Sequence, residues 1–384
     1  MNYDLNQDQQ ILKDAAHSFL QKECPSTFVR QMIADEKGYT PEMWKKMADL
    51  GWMGILFPEE YGGYGGSYLD MAVVLYETGY ACLPGPFFSS VVMGGLTLLE
   101  GGSEKQKKDL LPQVASGERI LTLAWAEKSG NYSLDQISTR AGLKGESYLL
   151  NGTKLFVPYA HAADTVICVA RTAPVSSKGE EGISLFLVDG KSEGLSVHVL
   201  NTLAGDKQCE VVLNQVRVPR ENLLGRVDQG GGIMKKVLLM CAVEKCAEMS
   251  GGGQRVLELT LDHAKQRVQF GKPIGAFQAI QHFCANILTY LDTSRFMTYQ
   301  AAWKISQGLN YEMEASLAKA WVSDSYRRLA LLAHQVLGGM GFMEEHDMHL
   351  YFKQAKAAEL AFGDADFHRE LAAQQMACSA EVIP

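Results

Sequence analysis

The sequence predicts an α+β protein in which helices, then strands, then helices follow one another along the chain. Three observations support this order. Apolar residues recur at helical spacing in the first third, short β-rich runs fill the middle, and helical spacing returns after a glycine-rich stretch. With 384 residues, of which 47% are hydrophobic and 21% charged, the chain is long enough to bury two or three cores.

The first segment, residues 1–118, is predicted to be an all-helical domain. The apolar positions on the face of its first helix are Ile11, Leu12, Ala15, Ala16 and Phe19. They fit a period of 3.6 residues per turn. Proline and glycine interrupt the helical pattern near residue 25 and in the ranges 57–67 and 83–86, which divides the segment into several helices.

The second segment, residues 119–228, is predicted to form a central β-barrel or sandwich. Its short runs are rich in β-branched and aromatic residues and are separated by Gly, Asn, Asp and Ser, which favour turns. The clearest runs are YLLNGTKLFVP, DTVICVART, ISLFLVDG and CEVVLNQVRVP. A barrel or sandwich of modest size is the expected result.

The third segment, residues 229–384, begins at the flexible stretch DQGGG and is predicted to be a helical bundle. Long helical periods joined by short turns are typical of antiparallel bundles. The predicted helices are Ile233–Arg267, Ala276–Ser306, Glu314–Leu337 and Met348–Phe362.

Composition excludes several functions. A net charge of −8 and a pI near 5.7, without a basic cluster, argue against nucleic acids and anionic membranes as partners. The eight cysteines form no C-x-x-C pair, so neither a disulfide framework nor a zinc site is expected. We find neither a basic leader before an apolar run nor a stretch of the roughly 20 apolar residues that span a bilayer. The expected location is the cytoplasm.

Two runs in the third segment carry the most specific patterns. In RVQFGKPIGAFQAIQHFCANI, an arginine at the end of one helix and an aromatic residue three positions later are suited to grip a phosphate and to stack on a flat ring. In HQVLGGMGFMEEHDMHLYFKQAK, glycines after a helix allow the backbone to approach a ligand closely. Taken singly, each run is also typical of a plain helix end, so both interpretations stay open.

The second of these runs also contains clustered histidines and acids. His346 and His349 lie three positions apart beside Glu344, Glu345 and Asp347. This spacing is more typical of a charged helix entry than of a metal centre. No metal site is predicted.

Together and in this order, the motifs resemble those of the acyl-CoA dehydrogenase family of flavoproteins. The resemblance covers nearly the whole chain. Its most specific runs are FPEEYGGYGG, LPQVASGERILTLAWAE, LNGTKLFVPYAHAAD, VPRENLLG and RVQFGKPIGAFQAIQ. It implies a helical N-terminal domain, a central β domain and a C-terminal four-helix bundle, with FAD at the domain junction. It also implies a tetramer, either a homotetramer or an α2β2 heterotetramer.

The resemblance implies which residues bind FAD. Those along the isoalloxazine ring are Trp125, Ala126, Glu127, Ser129, Phe156 and Pro158. Those at the pyrophosphate and adenosine, partly across a subunit boundary, are Arg267, Gln269, Phe270, Gln335, Gly338 and Gly339. The family often has hydroxyl residues at the positions of Ala126 and Pro158, so the orientation or the potential of the flavin is expected to differ here.

The family removes the α-proton of an acyl thioester with a carboxylate, while the β-hydrogen leaves as a hydride to the flavin. In LAFGDADFHRE, Phe362 stands where that carboxylate, a glutamate, is usual. A backbone N–H of the same loop, together with a ribityl hydroxyl of FAD, is implied to polarise the thioester carbonyl. Phe362 keeps this N–H but has no basic group.

Some branches of the family carry the base on the first long helix of the C-terminal domain, at a position that corresponds to Cys241. Glu244 and Glu248 follow at i+3 and i+7, on the same helix face. Burial in their apolar surroundings would raise a carboxyl pKa toward neutrality, which suits a general base. The alternatives are a surface pair of Glu244 with Lys245 and a packing or capping role for Glu248. Asp364 is a third candidate base, with a shorter reach.

The resemblance implies an FAD-dependent enzyme that introduces an α,β double bond into an acyl-CoA and passes electrons to an electron-transferring flavoprotein. Branches that lack the loop glutamate act on branched, cyclic, aromatic or dicarboxylic thioesters, so an unusual acyl group is expected. Two alternatives stay open: a non-catalytic or half-site subunit of a hetero-oligomer, and a related flavin enzyme that uses oxygen.

Overall fold

The computed structural model describes residues 4–130, 132–174 and 180–380. The chain forms two compact units. Unit 1 comprises Met1–Arg30, Ser67–Leu83 and Leu239–Pro384, and unit 2 comprises Gln31–Gly66 and Pro84–Leu238. The predicted order of helices, strands and helices is confirmed. The three domain boundaries stay a prediction.

The α-helices of the described residues vary in length from 6 residues in the shortest to 37 in the longest. In chain order they are α1 Gln7–Glu23, α2 Ser26–Ala34, α3 Pro41–Asp49, α4 Tyr68–Tyr80, α5 Leu96–Gly101, α6 Glu104–Ala115, α7 Gly230–Gln266, α8 Gln278–Ser306, α9 Glu312–Leu337, α10 Met348–Leu360 and α11 Ala365–Ala380. A π-helical segment, Phe88–Gly95, leads into α5. Capping boxes begin α1, α4 and α6, where Asn6, Ser67 and Ser103 each bond reciprocally with the residue three positions later.

Four of the strands agree closely with the runs that the sequence marks. In chain order the strands are β1 Leu121–Ala124, β2 Arg140–Lys144, β3 Ser147–Pro158, β4 Thr165–Arg171, β5 Ile183–Asp189, β6 Leu195–Leu200, β7 Gln208–Pro219, β8 Leu223–Leu224, β9 Val268–Gln269 and β10 Lys272–Pro273. The first eight form one sheet in the order β6-β7-β3-β2-β4-β5-β8, and β1 runs parallel to β4.

This sheet wraps around a single core within unit 2. Tyr148 of β3 and Phe186 of β5 pack with their ring centroids 4.9 Å apart. In a flat sheet these strands would lie about 14 Å apart, because two strands separate them and neighbours are spaced by about 4.8 Å. The sheet therefore bends over its own core, in agreement with the predicted barrel or sandwich.

Unit 1 is a helical bundle in which α9 lies against α8, α10 and α11, and α4 lies against α1 and α8. The four long helices begin and end within a few residues of the predicted ones. Within the described residues, every helix is too short or too polar to cross a bilayer.

Glycines bring the backbones of α4 and α7 into direct contact. A Cβ atom built on Gly79 would lie 1.8 Å from the carbonyl oxygen of Glu248, and one on Gly251 would lie 1.7 Å from that of Tyr76. Real Cβ atoms do not approach backbone so closely, so neither glycine can be replaced without moving a helix.

We expect Gly251→Ala to destabilise the protein by at least about 1–3 kcal/mol, because the added methyl group overlaps the Tyr76 carbonyl. Gly232→Ala, in the same helix, is the matched control, since its methyl group would meet no atom within 4 Å. That control should be neutral or stabilising by up to about 1 kcal/mol. Urea unfolding measures both, and equal midpoints for the two variants would contradict the close contact.

Candidate active site

Backbone strain marks three of the predicted site positions. Among the described non-glycine residues with positive φ are Phe156 (φ 53°), Phe270 (φ 54°) and Phe362 (φ 60°). A bulky residue seldom adopts this conformation, because its Cβ crowds the following carbonyl group, and the cost is about 1–3 kcal/mol. Such strain persists only where the surroundings hold it, and it is concentrated at functional sites. The sequence gives no signal for this feature.

Phe156 projects from unit 2 at an irregularity of β3. The register between β3 and β7 shifts between Lys154 and Val157, as in a β-bulge. The bulge leaves the Phe156 side chain 61% exposed, whereas Val157 beside it is buried. Pro158 closes the strand and its carbonyl accepts a hydrogen bond of 2.6 Å from the Thr122 hydroxyl. An exposed aromatic ring is thus held on a rigid strand.

A buried ion pair lies behind this ring. The Lys154 ammonium is fully buried and donates to the Glu127 carboxylate at 2.6 Å and to the Trp125 carbonyl at 3.3 Å. The same carboxylate accepts from the backbone N–H groups of Ser138, at 2.8 Å, and Thr139, at 3.0 Å. Burial alone would raise the pKa of Glu127, but Lys154 and these hydrogen bonds lower it to about 2.

The predicted flavin-binding residues that follow β1 differ in which of their groups are buried, hydrogen-bonded or exposed. The Glu127 side chain is committed to the interior, and the Ala126 carbonyl accepts from the Leu155 N–H at 2.9 Å. Trp125 is buried, whereas Ser129 is exposed. Any contact of Glu127 with a flavin would have to come from its backbone.

Lys154 was not singled out by sequence reasoning, although a signal exists. Side chains alternate between the two faces of a strand, and this places Lys154 on the same inward face as Leu150. A charged residue on a buried face requires a partner of opposite charge.

In unit 1, the predicted phosphate-binding residues lie exposed at a hairpin and at a helix end. Phe270 is 92% exposed at the tip of the β9–β10 hairpin, and its ring packs edge-on against Phe277 at 6.1 Å. The Gln269 side-chain amide donates to the neighbouring Val268 carbonyl at 2.8 Å. The Arg267 guanidinium makes no hydrogen bond to any residue that the structure describes.

The second exposed group ends α9. Gln335 is exposed, and within the described chain its amide makes no hydrogen bond. Gly338 follows with φ 60° and ψ −140°, a conformation that a residue with a Cβ avoids. Neither Gly338 nor Gly339 has an atom within 4 Å of where a Cβ would stand, so the backbone is open to a ligand.

These features fit FAD. Its pyrophosphate needs cationic and N–H donors, which Arg267 and the open glycine backbone offer. Its flat rings need exposed aromatic or apolar surfaces, which Phe156 and Phe270 provide within their own units. The adenosine additionally needs polar side chains free to bond, as Gln335 is.

The turn between α10 and α11 carries Phe362. The carbonyl of Phe362 accepts from Nε2 of His368 at 2.9 Å, and that of Gly363 accepts from the buried Lys319 ammonium at 2.7 Å. Asp364 accepts from the Phe367 N–H at 2.9 Å and so caps α11. This cap argues against Asp364 as the base, since its carboxylate already has a structural role.

Glu244 is fully buried in α7. Neither carboxylate oxygen has a hydrogen-bond partner among the described residues. Burial raises the pKa of Glu244 well above its ordinary range. The predicted alternative, a surface pair with Lys245, is wrong, because Glu244 is inaccessible to water.

Glu248 is in a more polar environment. Its side chain is 26% exposed and pairs with Lys245 at 2.5 Å. It also borders a cavity of about 20 Å³, together with Cys82, Tyr326 and Gln354. Space of this size is sufficient for one water molecule. Both candidate carboxylates thus belong to unit 1. Glu244 has no partner among the described residues, whereas Glu248 is paired with a cation.

The histidines and acids near residue 346 bond to the protein itself. Asp347 pairs with Arg30 at 2.7 Å, and His349 donates to the Glu344 carbonyl at 3.1 Å. Nδ1 of His346 accepts from the Met348 N–H at 3.1 Å. Within the described residues, no three His, Cys, Asp or Glu side chains are arranged to hold a metal.

Glu244→Gln should reduce the pH dependence of stability. Because burial raises the folded-state pKa of Glu244, the folded protein holds a proton that the unfolded chain releases. The free energy of unfolding therefore falls by up to about 1.4 kcal/mol per pH unit from about pH 4.3, the ordinary glutamate pKa, toward the raised value. Glutamine cannot ionise, so the variant should lose less stability than the parent as the pH rises. Urea unfolding across this range measures the slope, and parallel profiles would contradict an ionisable buried Glu244.

Lys154→Met should destabilise the protein by about 3–5 kcal/mol, because it leaves the buried Glu127 carboxylate without its cation. The control is Lys128→Met, at an exposed position nearby. Adding Glu127→Gln to Lys154→Met should restore part of the loss. Chemical denaturation measures all three, and a Lys154→Met midpoint equal to that of the control would rule out a stabilising pair.

Comparison with known proteins shows the same family along the whole chain. Family models described as the acyl-CoA dehydrogenase N-terminal, middle and C-terminal domains match residues 6–118, 122–216 and 228–377. The chain is 32% identical to the probable acyl-CoA dehydrogenase YngJ of Bacillus subtilis, over 98% of this chain and 100% of that protein. It is also 32% identical to the caffeyl-CoA reductase-Etf complex subunit CarC of Acetobacterium woodii, over 91% of this chain and 93% of that protein.

A solved structure supports the same assignment. Butyryl-CoA dehydrogenase from Megasphaera elsdenii matches with a TM-score of 0.91 and 27% identity, over 98% of this chain and 100% of that chain. The resemblance inferred from the motifs is thereby confirmed. The chain belongs to the acyl-CoA dehydrogenase family, whose members are FAD-dependent oxidoreductases that act on CH–CH bonds.

Proposed function

We propose that this protein dehydrogenates an acyl-CoA thioester to the α,β-enoyl-CoA, with a carboxylate of α7 as the base. The observation that carries this proposal is Glu244, a fully buried carboxyl group without a hydrogen-bond partner among the described residues. Burying such a group without a partner opposes folding by several kcal/mol, on the order of the cost of an unpaired polar group in a core. Its presence on the helix where some relatives carry the base is explained by a role in proton transfer.

Glu244 and Glu248 differ as candidates. Glu244 has the raised pKa that brings a carboxyl group closer to the pH at which a general base operates. Glu248 borders the cavity but is neutralised by Lys245 at 2.5 Å. We rank Glu244 first, because the Glu248 carboxylate is engaged in an ion pair with Lys245, whereas the Glu244 carboxylate has no partner among the described residues.

Phe362 has a separate proposed role. Its backbone N–H polarises the thioester carbonyl, which makes the α-proton acidic enough for a carboxylate to remove. Bound FAD would accept the hydride that leaves the β-carbon. Residues Arg267, Phe270, Gln335 and the glycines 338 and 339 hold the cofactor, and Phe156 contacts its ring system.

The sequence also supports proposals for the acyl group of the substrate and for the partners of the protein. A loop without a carboxylate fits a branched, cyclic, aromatic or dicarboxylic acyl group, since these occur in family branches with the base elsewhere. Electrons pass to an electron-transferring flavoprotein, in line with the name of the Acetobacterium woodii relative. The proposed assembly is a homotetramer or an α2β2 heterotetramer, and the proposed location is the cytoplasm.

A second candidate function is the reverse reaction, reduction of an enoyl-CoA. The Acetobacterium woodii relative is named a reductase, and a carboxyl group whose pKa is raised holds a proton to donate. In this direction bound reduced flavin would supply a hydride to the β-carbon, and Glu244 would donate its proton to the α-carbon. The residues are the same, so the direction follows from the redox partner and the substrate.

Anaerobic mixing of the purified FAD-bound protein with a panel of acyl-CoAs tests the first function, with flavin absorbance as the measurement. We expect at least one thioester to bleach the flavin. Glu244→Gln should slow bleaching by about 10²–10⁴-fold, the usual contribution of a general base. Glu248→Gln is the matched control and should stay near the parent rate.

The outcomes separate the alternatives. Parent-like bleaching by both variants would exclude both glutamates as the base, and the reverse ranking would assign the base to Glu248. A protein that binds FAD but is bleached only after a related chain is added would support the half-site alternative. Oxidation of the reduced flavin by an enoyl-CoA, with no acyl-CoA able to bleach it, would favour the reductase.

A further inference from the structure

The Phe362–Gly363 turn has positive φ at two consecutive residues, of which Phe362 is the strained one. Phe362 has φ 60° and Gly363 has φ 105°. A Cβ on Gly363 would lie 2.4 Å from Cδ1 of Phe367 and 2.8 Å from Nε2 of His368, so the turn is also tightly enclosed. Strain of this kind relaxes unless neighbouring groups prevent it. Two side chains in contact with the turn do so.

Lys319 is the first of these. Its side chain is fully buried in α9, and its ammonium donates to three acceptors. They are the hydroxyl of Ser323 at 2.9 Å, the carbonyl of Glu359 at 3.0 Å and the carbonyl of Gly363 at 2.7 Å. All three N–H donors of the ammonium group are thereby used. Because two acceptors lie at the C-terminal end of α10 and in the turn, the cation joins the helix end to the turn.

His368 is the second. It is 1% exposed, and its Nε2 lies 2.9 Å from the Phe362 carbonyl. Since a carbonyl can only accept, Nε2 carries the hydrogen, which fixes the tautomer. Burial, reinforced by nearby Lys319, lowers the pKa of His368 to about 4, so the ring is neutral at physiological pH. The bond to Phe362 is therefore a stable neutral hydrogen bond.

The two donors hold consecutive carbonyl groups, those of Phe362 and Gly363, toward the interior. A peptide unit is planar, so fixing its carbonyl fixes the orientation of the whole unit. The Phe362 N–H belongs to the peptide unit before these two, which joins Ala361 to Phe362. The Ala361 N–H donates to the Ala358 carbonyl at the end of α10, and the Phe362 carbonyl is held by His368, so the backbone is fixed on both sides of this unit.

We propose that Lys319 and His368 are positioning residues that hold the strained turn so that the Phe362 N–H is aimed at the thioester carbonyl of the substrate. This inference rests on the proposed function. It explains how a loop without its usual carboxylate keeps an oxyanion-type donor: the donor belongs to the backbone, and side chains behind the backbone orient it. Neither residue touches the substrate.

The test measures carbonyl polarisation directly. Acyl-CoA with a ¹³C-labelled thioester carbonyl is bound to the FAD-loaded protein, and the infrared stretch of that carbonyl is recorded. In the parent, the frequency should fall on binding. In His368→Leu and Lys319→Met most of this fall should be lost, and the bleaching rate should drop by about 10- to 100-fold with a much smaller change in KM.

Matched variants separate positioning from folding. His368→Gln keeps an N–H donor and should retain most of the carbonyl shift. Ser323→Ala removes the one Lys319 acceptor outside the turn and its helix and should leave the shift unchanged. If His368→Leu does not fold, His368→Asn is used, since its shorter side chain keeps a donor that cannot reach the Phe362 oxygen.

A parent-like carbonyl shift in folded, FAD-loaded His368→Leu or His368→Asn and in Lys319→Met would overturn the proposal. This result differs from failure of the proposed function. In that case the parent itself would neither shift the carbonyl of any acyl-CoA nor be bleached by one. A parent that shifts the carbonyl without bleaching still tests the positioning role, because the infrared measurement requires binding and no turnover.

Discussion

A fully buried lysine lies behind a strained phenylalanine in each of the two units. In unit 2, Lys154 supports the strand that carries Phe156, and in unit 1, Lys319 supports the turn that carries Phe362. Removing an ammonium group from water costs several kcal/mol, on the order of the effective burial penalty of an ion, unless charge and hydrogen bonds compensate for it. Lys154 is compensated by a carboxylate, whereas Lys319 has only carbonyl and hydroxyl oxygens. The Lys319 ammonium holds the turn that contains the strained Phe362, and the Lys154 ammonium anchors the strand two residues before the strained Phe156.

This difference in compensation has an electrostatic consequence. The Glu127 carboxylate neutralises Lys154, so the charge behind Phe156 is balanced. Burial lowers the pKa of Lys319 to about 8, so its charge is more sensitive to the surroundings. Glu244 is the opposite case, an uncompensated acid whose pKa is raised by burial. Unit 1 thus contains a buried acid and a buried base that are both shifted toward neutral forms, which is typical of sites that transfer or orient protons.

Much of the fold could be predicted from the sequence. The periodicity located four strands and four long helices to within a few residues, because burial of one face imposes the period directly. The short strands β1, β2 and β6 and the helix α11 lacked a comparable signal. At the site, family resemblance indicated where Phe156, Phe270 and Phe362 lie. It could not indicate that all three share positive φ, since no residue type at these positions requires it.

The side-chain directions were the least predictable part. Helical spacing placed Glu244 and Glu248 on one face, but it did not distinguish a fully buried carboxyl from one paired with Lys245. That distinction depends on neighbouring helices distant in sequence. Asp364 likewise looks like a free acid in the sequence, and only the start of α11 commits it to a cap.

The close backbone crossing of α4 and α7 limits how the helix that carries Glu244 and Glu248 can move. The atom that Gly79 meets is the main-chain oxygen of Glu248 itself. Because no side chain separates the two backbones at Gly79 and Gly251, neither helix can rotate about its axis or slide past the other there without a collision. Glu248 and, one turn earlier, Glu244 therefore keep a fixed position along α7 and a fixed direction relative to α4. Changes in the surroundings of these acids would therefore have to come from neighbouring side chains, because the backbone of α7 is held in place.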